Sequence, residues 1–206
     1  DPTIPAGEAL MTENGQFTGI FLENTCSRFN VSIPPMKDSE LIDCILSLQE
    51  MCFSLGLGSV SDAGLQLRYI EILNSLQKKN RLKLRIDVWM DPSDENFARF
   101  RRPYRSDRLD VSAIKLYIDG ALGSSGALLY EPYSDDPDNC GIQVTSDSSF
   151  MHICERAVQN GFQLATHAIG DKGVGKVLDF YSNFLEPGND LRWRIEHAQV
   201  VAPDDF

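Results

Sequence analysis

The stretch Phe150-Met151-His152-Ile153-Cys154-Glu155-Arg156-Ala157-Val158-Gln159-Asn160-Gly161-Phe162-Gln163-Leu164-Ala165-Thr166-His167 decides the fold class. Its first part, to Asn160, reads as a helix, and Phe162 to His167 as a strand. The alternation continues downstream with a helix around Gly173 to Leu185 and a strand from Leu191 to His197. Upstream, Val111 to Ile118 is a strand, and Arg81 to Met90 places Leu82, Leu84, Ile86 and Val88 at period two. Before these come a helix with Leu65, Tyr69, Leu73 and Leu76 on one side and a short buried strand from Leu57 to Val60. A first helix sets Leu41, Ile45, Leu48, Cys52 and Leu55 on one face, with Asp38 or Ser39 able to cap it and Gly56 to stop it.

Strands alternating with helices imply parallel strands joined by right-handed crossovers. Five such strands suit a slice of an α/β barrel or of an open doubly wound sheet. The chain of 206 residues is short for a complete (β/α)8 barrel, which needs about 250. The opening differs: Asn14-Gly15 between Leu10-Met11 and Phe17-Thr18-Gly19-Ile20 signals a hairpin, and Pro34-Pro35 marks a break. Residues 1–36 therefore read as a hairpin excursion and 37–206 as βα units of a single domain, with no internal repeat.

Composition excludes several classes. Hydrophobic residues make up 42% and charged residues 24%, an ordinary globular profile. With 19 basic and 30 acidic residues the formal charge is −11, which repels phosphate backbones; nucleic acid is not an expected partner. No apolar run approaches a membrane span and no signal peptide opens the chain, so no membrane partner is expected. Cys26, Cys44, Cys52, Cys140 and Cys154 are odd in number and form no CxxC pair, which argues against a disulfide framework and for a reducing, cytoplasmic compartment. Cys44 and Cys154 fall in apolar helical patterns and read as small hydrophobes.

Three polar residues occupy strands or strand ends: Lys115, His167 and His197. Barrel chemistry gathers at the C-terminal ends of strands, and neutral imidazole is a common zinc ligand. A lone strand-end histidine usually serves as a hydrogen-bonded core residue. Two in equivalent places of successive units fit a metal site equally well, and these residues alone leave both open. His152 lies in a helix and is assigned no role. Lys115 sits in an apolar strand, which is costly unless the amine is paired, neutral or modified. It either reaches the barrel mouth to pair with Asp119 or Glu196, or is neutral enough for carbon dioxide to carboxylate it. The long connection from Asp119 to Ser149 suggests a lid or binding loop, and Gly120 to Gly126 within it could cradle a small anion, without a P-loop ending.

The string Ile114-Lys115-Leu116-Tyr117-Ile118-Asp119-Gly120-Ala121-Leu122-Gly123-Ser124 resembles the fourth-strand motif of the amidohydrolase superfamily. Thr166-His167-Ala168-Ile169-Gly170-Asp171 is similar to its fifth-strand motif, and Arg194-Ile195-Glu196-His197-Ala198-Gln199 to its sixth. The branch most similar contains N-substituted formamide deformylase (amidohydrolase family 3), and the opening with Asp1-Pro2, Asn14-Gly15 and Thr18-Gly19-Ile20 resembles the stretch after its first strand. The resemblance implies a partial (β/α)8 TIM-type barrel, about strands 2 to 6. It implies one or two divalent metals, usually zinc, and hydrolysis of C–N bonds in a small-molecule amide, formamide or related carbonyl substrate. Lys115 would be the catalytic, carboxylated lysine that bridges the metals, with His167 and His197 as the other ligands. Asp171 would cap the following helix, and Glu196, next to a ligand on a strand, would face the other way.

The family's His-x-His pair and eighth-strand aspartate have no match here, so these residues alone are expected to be inactive, and open sheet edges invite homo-oligomers. Two alternatives stay open: a non-catalytic truncated barrel that binds a small anion at Gly120 to Gly126, and a Schiff-base enzyme using Lys115.

Overall fold

Five parallel strands alternate with helices in the structure, a computed structural model that describes residues 9–11, 14–21, 23–26, 29 and 33–206. The parallel strands are β3 (Ser59–Leu65), β4 (Arg85–Met90), β6 (Leu109–Tyr117), β7 (Gln163–Ala168) and β8 (Arg194–His197). They lie side by side in that order, each the neighbour of the next. The helices between them are α2 (Leu67–Lys78), α3 (Asp94–Arg99), α4 (Asp147–Asn160) and α5 (Asp171–Ser182), and α1 (Asp38–Ser54) precedes β3. Ahead of these, β1 (Ala9–Met11) and β2 (Phe17–Phe21) pair antiparallel across Asn14-Gly15, with Gly15 at φ 73°. The expected hairpin is present; Asp1-Pro2 lies outside the described residues.

The sheet curls into a half-barrel. The Arg194 guanidinium on β8 lies 4.4 Å from the centre of the Trp89 ring on β4, although β6 and β7 run between them. Strands stand about 4.8 Å apart, so a flat sheet would hold those two backbones roughly 14 Å from each other. Irregularities at Ala63/Leu65 and at Val88/Trp89 sharpen the bend, as bulges do.

Alternation then divides the side chains. Ile86, Val88, Met90, Ile114, Leu116, Ile118, Leu164 and Ala168 are buried. They form one core with Ile70, Leu73 and Leu76 of α2, Phe150, Ile153 and Ala157 of α4, and Val174, Val177 and Tyr181 of α5. Buried Thr166 joins them by a 2.7 Å hydrogen bond between its Oγ1 and the Tyr181 hydroxyl. The other face carries Trp89, Ala113, Lys115, Tyr117, Ala165, His167, Arg194 and Glu196, in register across four strands.

Several local expectations need correction. Neither Asp38 nor Ser39 caps α1; Lys37 is the cap residue, and its N–H donates to the Glu40 carboxylate at 3.1 Å. The face expected to be apolar and covered is only half so: Cys52 is buried, but Leu48 and Leu55 are exposed, and so is Cys44. Asp171 opens α5 one residue after its cap, Gly170. An antiparallel strand, β5 (Tyr104–Arg105), also joins the sheet. It fits because β7 begins only at Gln163, opposite Ala113, which leaves the edge of β6 free at Asp110 and Val111.

Candidate active site

Lys115 enters the half-barrel from the middle of the sheet. Only 6% of the residue is exposed. Its Nζ donates to the Leu116 carbonyl at 3.0 Å and lies 3.8 Å from the centre of the Tyr117 ring. Desolvation pulls its pKa down to about 8, while the Glu196 carboxylate pushes back. Neither suggested partner captures it. Glu196 is engaged by Arg194, and Asp119 by backbone N–H groups from two other segments.

His167 stands next to Tyr117 on one side and Glu196 on the other, and its ring packs 5.4 Å from that of Tyr117. Its Nε2 lies 3.2 Å from the Gly120 carbonyl and 3.5 Å from Asp119 Oδ1. Both neighbours are acceptors, so a proton on Nε2 would satisfy them and leave the Nδ1 lone pair for a ligand. Burial is the main cause that lowers the His167 pKa, with Lys115 and His197 adding to it and Gly120 and Asp119 opposing. The ring is therefore neutral at pH 7, the form that binds metals.

His197 reaches the same place by a different route. Strand alternation would put it opposite Glu196, and that argument sent Glu196 away from the site. The structure reverses it: Glu196 is the residue level with His167 on the inner face. His197 leaves strand geometry, with φ 76°, and Ala198 follows at 41°. Its ring ends 4.7 Å from the His167 ring, edge to face. Non-glycine residues rarely adopt these angles, and they concentrate at functional sites. His152 is exposed on α4, beside Glu155 at 3.9 Å and apart from this cluster.

The long connection after β6 folds back over the strand ends. Val144 N donates to the Ile118 carbonyl and Thr145 Oγ1 to the Tyr117 carbonyl. Part of the Gly120 to Gly126 segment is closed on itself. The N–H groups of Gly120, Ser125, Gly126 and Ala127 all donate to carbonyls within it.

Asp119 is the residue that sequence reasoning undervalued. It is buried, and it accepts from Leu128 N at 2.9 Å, Ile169 N at 3.0 Å and Gly170 N at 2.8 Å. Its signal in the sequence was an Asp-Gly just past a strand, which reads as an ordinary turn.

Could these residues hold a metal? Among the described residues, no group of three or more His, Cys, Asp or Glu side chains is arranged to do so. The converging donors are two imidazoles and one amine of lowered pKa. That set fits a zinc-class ion once the amine is neutral or carboxylated, because the imidazoles are borderline-soft nitrogen donors.

A family model described as "Amidohydrolase family" matches residues 1–206. The chain is 28% identical to "Putative amidohydrolase YtcJ" of Bacillus subtilis over 97% of its own length and 39% of that protein's. It is 42% identical to "Protein LONG AFTER FAR-RED 3" of Arabidopsis thaliana, over 48% of this chain and 17% of that one. Among solved structures, an uncharacterized metal-dependent hydrolase from Pyrococcus horikoshii superposes with a TM-score of 0.79 at 28% identity, covering 96% of this chain and 41% of that one. Another from Pyrococcus furiosus gives 0.77 at 29%, covering 97% and 42%. The chain thus spans about two fifths or less of the length of these relatives.

Proposed function

This chain belongs to the amidohydrolase family, and on that premise we propose that it serves a metal-dependent hydrolase of C–N bonds in small amides, formamides or related carbonyl compounds. Lys115, His167 and His197 are the metal donors in this reading. The observation that carries it is the meeting of two imidazoles from the ends of consecutive strands, 4.7 Å apart, beside a buried lysine. A divalent ion of the zinc class, when bound, supplies Lewis acidity and a water of lowered pKa.

The chain's own residues prepare that site. With a pKa of about 8, roughly a tenth of Lys115 is neutral at pH 7. A neutral amine can add to carbon dioxide, forming an N–C bond and releasing one proton; the carbamate then offers two oxygens as donors. His167 presents Nδ1 because Nε2–H faces Gly120 and Asp119. Arg194 engages Glu196, which lowers the negative field beside Lys115. No His-x-His pair occurs in the 206 residues, so these three donors by themselves are not expected to turn over substrate.

Metal content tests the reading, by mass-spectrometric elemental analysis after dialysis without chelator. With three donors, at most one zinc-class ion per chain is expected, with retention lost in His167→Ala and His197→Ala and kept in His152→Ala. Equal losses in all three variants would point to folding and sink the assignment. A wild-type protein without metal would overturn it and favour a second reading, for which the lowered Lys115 pKa also speaks: a Schiff base with a carbonyl substrate, detectable by borohydride trapping at Lys115.

A further inference from the structure

The Asp119 carboxylate joins two segments of the chain that are far apart in sequence. It begins the loop after β6, holds Leu128 in the middle of that loop, and holds Ile169 and Gly170 in the turn between β7 and α5. The approach is close from every side. A Cβ built on Gly173, in the first turn of α5, would stand 2.7 Å from Asp119 Oδ2. The positive end of α5 faces this anion, a favourable arrangement. What distinguishes Asp119 from an ordinary buried anchor is its second oxygen. Oδ1 accepts from Ile169 N and also stands 3.5 Å from His167 Nε2.

We propose that Asp119 is a positioning residue which, with the Gly120 carbonyl, fixes His167 in the Nε2–H tautomer and turns its Nδ1 toward the metal. The proposal rests on the reading of His167 as a donor. Its first step, the tautomer, stands apart from that reading. Ligating histidines are commonly held this way by an acceptor behind the ring. The acceptor here is anchored by three N–H groups, so it cannot swing away with its loop.

The test uses the metal-free, 15N-labelled chain at a pH where the imidazoles are neutral. Two-dimensional spectra correlating ring nitrogens with ring protons report the tautomer of each of the three histidines. Exposed His152 serves as the reference for a ring outside the site. His167 is expected as the Nε2–H form alone, and Asp119→Asn should populate the Nδ1–H form, since its amide would present a donor to the ring. Zinc or cobalt affinity should fall roughly 10- to 100-fold in the same variant. Asp171→Asn is the control for a purely structural role. Asp171 also ties the loop to α5, through Tyr130 N at 3.0 Å and Lys172 N at 2.8 Å. It should leave both readouts unchanged. The proposal is overturned if Asp119→Asn keeps the wild-type tautomer, or if Asp171→Asn changes it equally. It is also overturned, with no variant needed, if wild-type His167 carries its proton on Nδ1. Failure of the wild type to bind metal while the tautomer result holds would refute the metal reading and leave the Asp119–His167 coupling standing.

Discussion

Replacing Gly170 by alanine should unfold the protein at a markedly lower temperature, for a steric reason alone. Gly170 has φ −77° and ψ 152°, angles that alanine adopts freely. The added Cβ, however, would stand 2.0 Å from the Leu128 carbonyl oxygen, 2.5 Å from its carbon and 2.7 Å from its nitrogen. These are backbone atoms and cannot rotate aside. Relief requires the loop to move by more than an ångström, which disrupts Asp119–Leu128 N at 2.9 Å and Gly173 N–Leu128 O at 3.1 Å. Each lost hydrogen bond costs about 1 kcal/mol, and a buried carboxylate left short of a donor about 1–3 kcal/mol more. The sum is about 3–5 kcal/mol, a large share of the roughly 5–15 kcal/mol that holds a domain together. For this chain length that lowers Tm by on the order of 10 °C. Thermal and urea denaturation followed by circular dichroism would read it. Gly175→Ala is the matched comparison. Its Cβ would meet the Tyr130 hydroxyl at 2.6 Å, the far end of an exposed ring, and alanine favours the helix by about 1 kcal/mol. Its Tm should hold or rise. A Gly170→Ala protein within a degree or two of wild type, or a Gly175→Ala protein equally damaged, would refute the claim that the loop is seated rigidly on the start of α5.

Lys115 should leave a mark on stability against pH. Its folded pKa of about 8 lies below the ordinary 10.5, so between those values the unfolded chain binds more protons. Wild-type stability relative to Lys115→Met should rise from about pH 8 to 10.5, by at most about 1.4 kcal/mol per pH unit, and be lower and level below pH 8. A flat difference across that window in urea titrations would contradict the burial of the amine. Cys154 is buried and its thiol is pushed up to about 12, so iodoacetamide at pH 8 should modify exposed Cys26 and Cys44 first and leave Cys154 intact by mass spectrometry. Thr166→Val removes the hydroxyl that meets Tyr181 at 2.7 Å in the core. It should cost about 1–2 kcal/mol in urea melts, and less than 0.5 kcal/mol would mean that Tyr181 finds another partner.

Most regular parts of the fold were legible because their periodicity is long. β3 was not: its apolar pattern ends at Val60 and gives Leu65 to the next helix, whereas the strand runs Ser59–Leu65 and is largely exposed. Val88, Ile114, Leu164 and their neighbours repeat every second residue, and α2, α4 and α5 repeat their apolar positions over at least three turns. Short elements escaped notice. α3 has only six residues, too few for a helical period, and is marked chiefly by Ser93, whose hydroxyl accepts from Asn96 N at 3.3 Å. β5 has two residues and exists because of where β7 starts, a fact about another part of the chain. The exposure of Leu48 and Leu55 likewise depends on what packs against α1, which its own pattern does not state. At the site, Lys115 was readable as a charged residue in an apolar strand, and His167 and His197 as histidines that close consecutive strands. Alternation misplaced Glu196 because it assumes the strand continues, and the backbone turns left-handed at His197. Asp119 escaped because its donors sit 9, 50 and 51 residues away.

The connection after β6 divides into a base and a tip. The base, near residues 126–130 and 140–145, is sewn to β6 and to the start of α5. At the tip, the backbones of Tyr133, Asp136 and Asn139 bond to one another, Tyr133 N to Asn139 O, Asp136 N to Tyr133 O and Asn139 N to Asp136 O, while the Tyr133 hydroxyl donates to Ala127 O at 2.9 Å and Asn139 Nδ2 to Ser125 O at 3.2 Å. Residues inserted or exchanged between 134 and 138 would change the reach of the loop without straining the seam beneath. Heritable variation can therefore accumulate at the tip while the Gly170–Leu128 contact stays fixed, so the part of the chain free to diverge is kept apart from the part that cannot.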